Sequence, residues 1–225
     1  MFNTQGRTIM AIVFVVEDDA AIVKQIKAAF NDYQVLSVQD FRSVAQEIAA
    51  AGPDLILMDI KLPYFNGFYW TAEIRKQATT PILFLSSADD EMNQVMAMNM
   101  GADGYVTKPF SIDLLQAKIN ALLRRTYQFS QTQLTFQEFV LAGSELKKGS
   151  DRVELTPTES KLLRTLFEHP NRTVTKETLL EKLWESDEYV DANTLQVNIA
   201  RMRKKLLTIG FDYIGTVRGV GYVLA

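Results

Sequence analysis

The chain has 225 residues with 24 basic and 27 acidic side chains, a formal net charge of −3, and its length suits two domains of ordinary size. A hydrophobic fraction of 47% beside 23% charged residues excludes a disordered or fibrous protein and lets each half bury a core. There is no cysteine, which excludes disulfides and thiolate metal sites and makes the cytoplasm the expected compartment. The first apolar run, Ile9 to Val16, stops at Glu17, Asp18 and Asp19, far short of the about 20 residues of a membrane helix. Neither an anchor nor a membrane partner is expected, and residues 1–9 receive no function.

In chain order, short apolar runs alternate with longer helical patterns. Strands are expected at Ala11 to Val16, Gln34 to Val38, Asp54 to Met58, Pro81 to Leu85 and Gly104 to Thr107. Between them, Ala20 to Asn31, Phe41 to Ala51, Gly67 to Lys76, Asp90 to Asn99 and Ile112 to Arg125 carry apolar residues at three- and four-residue spacing. Five such units predict a doubly wound five-stranded parallel sheet, an α/β first domain over residues 10–126. Basic Arg124 and Arg125 suit the carboxyl end of its last helix, and residues 127–133 read as a linker.

The rhythm then changes. Four strand-like pieces (Leu134 to Phe136, Phe139 to Ala142, Glu145 to Lys147, Val153 to Leu155) precede three helices near Pro157 to Glu168, Lys176 to Trp184 and Asp191 to Leu207. A final hairpin, Tyr213 to Thr216 and Tyr222 to Leu224, turns around Gly219 to Gly221. Helices followed by a hairpin predict a smaller α+β winged helix-turn-helix over residues 134–225.

In an open parallel sheet, ligands bind beyond the carboxyl ends of the strands. Glu17 and Asp18 follow the first strand, Asp59 the third, Ser86 the fourth and Lys108 the fifth. Singly, an acid after an apolar strand is more often a solvated strand end; four strands aiming polar groups at one edge is a far more specific pattern. Clustered carboxylates repel unless a cation joins them. Magnesium, with octahedral oxygen coordination and retained waters, suits Asp18 and Asp59 as direct ligands. Asp59 can then act as a nucleophile toward phosphorus, with Lys108 countering the phosphoryl charge. The text after the first strand, EDDAA, has no glycine-rich phosphate loop, which disfavours nucleotide cofactors.

The segments VVEDDAAI, LILMDIKLP, LFLSSA and GADGYVTKPF resemble the receiver domain of response regulators, a flavodoxin-like fold. The resemblance implies that Asp59 accepts phosphate from a sensor histidine kinase and that Glu17 and Asp18 form the acidic pair for Mg2+. It further implies coordination by the backbone carbonyl of Lys61, a phosphoryl contact from Ser86, a switch role for Tyr105, and a cis Lys108–Pro109 peptide. It departs from the family's pattern at Gly104, Leu114 and Lys118, so homodimerisation on phosphorylation is expected through altered contacts.

Positive charge concentrates late: five basic residues against two acidic ones lie between Asp191 and Ala225. In DANTLQVNIARMRKKL, the residues Leu195, Ile199, Met202 and Leu206 make a buried stripe. Thr194, Val197, Asn198, Arg201 and Lys205, flanked by Arg203 and Lys204, make a second face suited to a major groove. A basic helix is usually only a solvated face; the adjoining TVRGVGYVL hairpin, with Arg218 at a glycine-flanked tip suited to a minor groove, shifts the reading to DNA. This half, through LTPTESKLLRTLFEHPNRTVTKETLLEKLW, RMRKKL and TVRGVGY, resembles the effector of the OmpR and PhoB subfamily. That resemblance implies promoter DNA as a partner and assigns residues 184–190 to a loop that meets RNA polymerase. KLPYFNGFYW and the paired Ser86 and Ser87 resemble regulators linked to bacitracin and antimicrobial-peptide sensing. The expected function is therefore a phosphorylation-controlled transcription regulator, not an enzyme acting on other substrates. The alternative is a phosphate-responsive protein-interaction switch without DNA binding.

Overall fold

The computed structural model describes residues 10–87, 91–128, 133–183 and 192–225, which carry two domains in chain order. The first carries β1 (Ile12–Val16), α1 (Ala20–Ala29), β2 (Gln34–Ser37), α2 (Val44–Ala51), β3 (Leu55–Asp59), α3 (Gly67–Arg75), β4 (Ile82–Ser87), α4 (Glu91–Met100), β5 (Gly104–Lys108) and α5 (Ile112–Gln128). The five strands form one parallel sheet in the order β2-β1-β3-β4-β5. This is the doubly wound arrangement expected from the strand and helix alternation.

The central strands are buried on both faces, as a sheet covered by helices on each side requires. Val13, Val15, Leu55, Leu57, Leu83 and Leu85 join Ile26 of α1, Phe30 just past its carboxyl end, and Leu115, Ile119 and Leu122 of α5 in one core. The alternate residues, including Phe14, Ile56, Met58, Ile82 and Phe84, are equally buried, and Phe84 meets the ring of Phe68 on α3 at 5.6 Å. Local chemistry starts the helices. Asp19 accepts a hydrogen bond from the Ala21 amide and Asn66 one from the Tyr69 amide, each satisfying an otherwise unpaired amino-terminal donor. α5 continues to Gln128, past the basic pair at which its end was expected.

The second unit opens with an antiparallel sheet, β6 (Gln133–Phe136), β7 (Phe139–Ala142), β8 (Glu145–Lys148) and β9 (Asp151–Glu154), ordered as in the chain. Then come α6 (Pro157–Phe167), β10 (Thr173–Thr175), α7 (Lys176–Leu183), α8 (Ala192–Leu206), a 3-10 turn at Leu207–Ile209, and the hairpin β11 (Ile214–Val217) and β12 (Gly221–Leu224). α6 begins with a reciprocal cap: the Glu159 amide donates to Thr156 and the Glu159 carboxylate accepts from the Thr156 amide, with Pro157 in the first turn. β10 corrects the expectation of a simple hairpin, because it pairs antiparallel with β12 and makes the wing sheet three-stranded. Leu195, Ile199, Met202 and Leu206 of α8 lie in this unit's core with Leu162, Leu166 and Leu179, as the buried stripe predicted.

Candidate functional site

The carboxyl ends of β1, β3 and β5 bring Glu17, Asp59 and Lys108 together. Lys108 Nζ donates to Glu17 Oε2 at 2.6 Å and to Asp59 Oδ2 at 2.9 Å. Glu17, Asp59 and Ser86 are buried, whereas Asp18 is exposed. One carboxylate oxygen from each of Glu17, Asp18 and Asp59 lies within 4.8 Å of the others. Three hard oxygen donors at that separation, one reaching solvent, fit a small divalent cation that keeps several waters. The Lys61 amide donates to Asp59 Oδ1 at 3.3 Å, which places the Lys61 backbone beside the same carboxylate.

One ammonium serves two carboxylates here, and the charges do not balance. Burial pushes the Glu17 carboxyl up to about 7; the Lys108 hydrogen bond opposes this, and the neighbouring Asp59 charge adds to it. Burial also disfavours charge on Lys108, but its hydrogen bonds to Glu17 and Asp59 prevail and hold the ammonium above its ordinary value. The pocket therefore keeps a firm cation and one carboxyl poised to release a proton.

A close backbone approach fixes the position of Asp59. Gly67 opens α3 with its amide donating to the Ile60 carbonyl at 3.0 Å. A Cβ at this position would lie 2.2 Å from the Asp59 carbonyl oxygen and 3.0 Å from the Met58 side chain. Only glycine lets the helix start there, a requirement that was not drawn from the sequence. Tyr105 is buried, its carbonyl accepts from Lys118 Nζ at 3.0 Å, and the Lys108–Pro109 peptide is cis. Leu114 is exposed. Below the pocket, Arg75 and Asp103 form a buried ion pair at 2.8 Å. Asp103 also accepts from the Ile82 amide, and Arg75 donates to the Thr80 carbonyl.

The residues expected to face DNA on α8 differ in exposure. Thr194 and Asn198 are buried, 1% and 4% exposed, and Asn198 Nδ2 donates to the Thr194 carbonyl. The exposed positions are Asn193, Gln196, Val197, Ala200 and Lys204, with Arg201 half-buried. Lys205 is ion-paired at 2.6 Å with Glu159, the buried acid of the α6 cap. Arg203 Nη2 donates to the Ile214 carbonyl at 2.6 Å and to Thr216 Oγ1 at 2.8 Å. Both cations, expected near DNA, also tie their helix to other elements. Arg218 is exposed at the hairpin turn, beside Gly219 with φ +75°. The loop expected to meet RNA polymerase, residues 184–190, lies outside the described residues.

Residues 13–120 match the response regulator receiver domain family, and residues 149–224 match the family described as transcriptional regulatory protein, C terminal. The chain is 41% identical over 219 residues to the response regulator protein GraR of Staphylococcus saprophyticus, covering 94% of this chain and 98% of that one. GraR of Staphylococcus aureus is 38% identical with the same coverage. Among solved structures, a mutant of RitR superposes with a TM-score of 0.69 at 24% identity over 96% of this chain and 99% of its own, a likeness of fold.

Proposed function

The chain belongs to the two-component response regulators of the OmpR and PhoB type, and from that premise we propose that Asp59 is its phosphoacceptor and that phosphorylation there controls promoter binding. As a member of this family it is a DNA-binding transcription regulator, and a receiver implies a sensor histidine kinase as its partner. The observation that carries the proposal is the buried Asp59 within hydrogen-bond distance of Lys108, in a triad of carboxylates close enough to share one cation.

Glu17, Asp18 and Asp59 would hold Mg2+, with the Lys61 carbonyl completing the protein's share. Bound there, the ion would supply positive charge against the transferring phosphoryl group. An Asp59 oxygen attacks phosphorus; the new P–O bond forms as the P–N bond to the kinase histidine breaks, and the imidazole nitrogen keeps the electron pair. Lys108 stands where it counters the phosphoryl charge, and the Ser86 hydroxyl is the nearby donor. Catalysis is limited to the protein's own phosphorylation and dephosphorylation. Labelling with acetyl phosphate and Mg2+ tests this: Asp59→Asn should take up no phosphate, and full labelling of that variant at another residue would overturn the assignment.

Tyr105 is the proposed reporter of phosphorylation. The dimer it favours would use α4, β5 and α5. Because Leu114 is exposed and Lys118 bonds the Tyr105 carbonyl, that interface would be more apolar than a network of ion pairs. On DNA, the readers would be Val197, Asn198 and Arg201, with Thr194 and Lys204 toward phosphates and Arg218 in the wing. Residues 184–190 are the proposed contact to RNA polymerase. The KLPYFNGFYW segment supports an output in resistance to peptide antibiotics.

A further inference from the structure

Arg203 touches both strands of the β11–β12 hairpin from the last turns of α8. Its Nη2 bonds the Ile214 carbonyl and Thr216 Oγ1 on β11, and its guanidinium carbon sits 5.6 Å from the centroid of the Tyr222 ring on β12. Thr216 and Tyr222 are register partners across that hairpin, so one side chain grips a cross-strand pair. Arg203 Nε is buried without a hydrogen-bond partner, which turns that edge of the fork away from solvent. Arg218, exposed at the turn, lies two residues beyond Thr216. A planar guanidinium holding a carbonyl, a hydroxyl and an aromatic face at once has far less freedom than a lysine ammonium on a flexible stem.

We propose that Arg203 is a positioning residue that braces the wing against α8, so that the exposed face of the helix and Arg218 meet DNA at a fixed separation, and that it is not itself a phosphate contact. The proposal rests on the DNA-binding reading above. Its consequence is coupling: without the brace, Arg218 loses its register with the helix and contributes little. A phosphate contact would instead act independently of Arg218 and add its own counterion to the salt dependence.

A double-mutant cycle on the full-length protein separates the two roles. The probe is a duplex that the wild-type protein selects from a random-sequence library, with a scrambled duplex for comparison. Arg203→Ala and Arg218→Ala should each weaken binding to the selected duplex by roughly tenfold, as for a contact that discriminates sequence. The double variant should be within about twofold of the weaker single, the limit of additive behaviour being far larger. Losses that multiply, with the slope of log K against log salt falling by about a further 0.9 in the Arg218→Ala background, would overturn the brace in favour of a phosphate contact. Arg203→Lys keeps the charge and guards against a folding artefact: the brace predicts that it behaves like alanine, whereas near wild-type affinity would reject it. Thr216→Val removes one acceptor and no charge. Its effect should disappear in the Arg203→Ala background, and an equal effect in both backgrounds would contradict the coupling. If the wild-type protein selects no duplex, the DNA-binding reading fails; if it does and the losses multiply, only the brace fails.

Discussion

In the receiver pocket, Glu17, Asp59 and Lys108 are paired with one another across three strands; in the effector, Lys205 and Arg203 are paired with groups on α6 and the wing. The first arrangement concentrates charge at one point where a ligand is to arrive. The second uses charge to hold elements of the fold together. Identical residue types thus serve opposite ends, and what decides between them is whether the partner belongs to the same site. The difference also shapes energetics: the pocket is left with an unbalanced carboxyl, Glu17, whereas Lys205 has the single partner Glu159 among the described residues.

Three changes would sharpen or break that contrast. Gly67→Ala should have the largest effect, because its Cβ would overlap the Asp59 carbonyl. Overpacking of this kind costs about 1–3 kcal/mol, measurable by urea unfolding of the full chain. A slower phosphorylation of Asp59 should accompany it, and an unchanged rate would mean that α3 does not set the nucleophile's position. Lys205→Ala should cost about 1 kcal/mol, a partly exposed pair discounted for screening but with a buried acid left behind. Because Lys205 is committed to Glu159, the salt slope for DNA binding should stay as it is; a fall of about 0.9 would return Lys205 to the phosphate contacts.

The smallest effect is titration of the pocket. Glu17 is raised to about 7 against an ordinary 4.5, so the folded protein binds more protons than the unfolded chain between those values. Stability from this group is complete below pH 4.5 and is lost as pH rises through 7. Magnesium needs the ionised carboxylate, so its binding at pH 6 should release up to one proton and should tighten toward pH 8. Calorimetry in buffers of different ionisation enthalpy checks this, and proton release that persists unchanged in Glu17→Gln would contradict it.

The same contrast explains what could be read before the fold was known. Parallel strands buried on both faces are near-continuous apolar runs, and an acid directly after such a run must stand at the strand's carboxyl end; Asp59 and Glu17 were legible for that reason. The cap of α6 and the apolar stripe of α8 are likewise local patterns. β10 was missed because three residues, TVT, form a strand only by pairing with β12, which lies far along the chain. Thr194 and Asn198 have the spacing of an exposed face, but spacing on one helix does not show which of its residues are buried. Asp103 reads as one letter of GADG; only the fold brings Arg75 to it. Arg203 is the clearest case, since nothing within RMRKKL distinguishes an arginine that faces DNA from one that holds the wing.

Whether Asp59 governs the DNA-binding half is tested most directly by measuring promoter affinity with and without acetyl phosphate and Mg2+, in the wild-type protein and in Asp59→Asn. Tighter binding on phosphorylation of the wild-type protein, absent from the variant, is the predicted result. An equal gain in Asp59→Asn, or no gain in a fully phosphorylated wild-type protein, would contradict it.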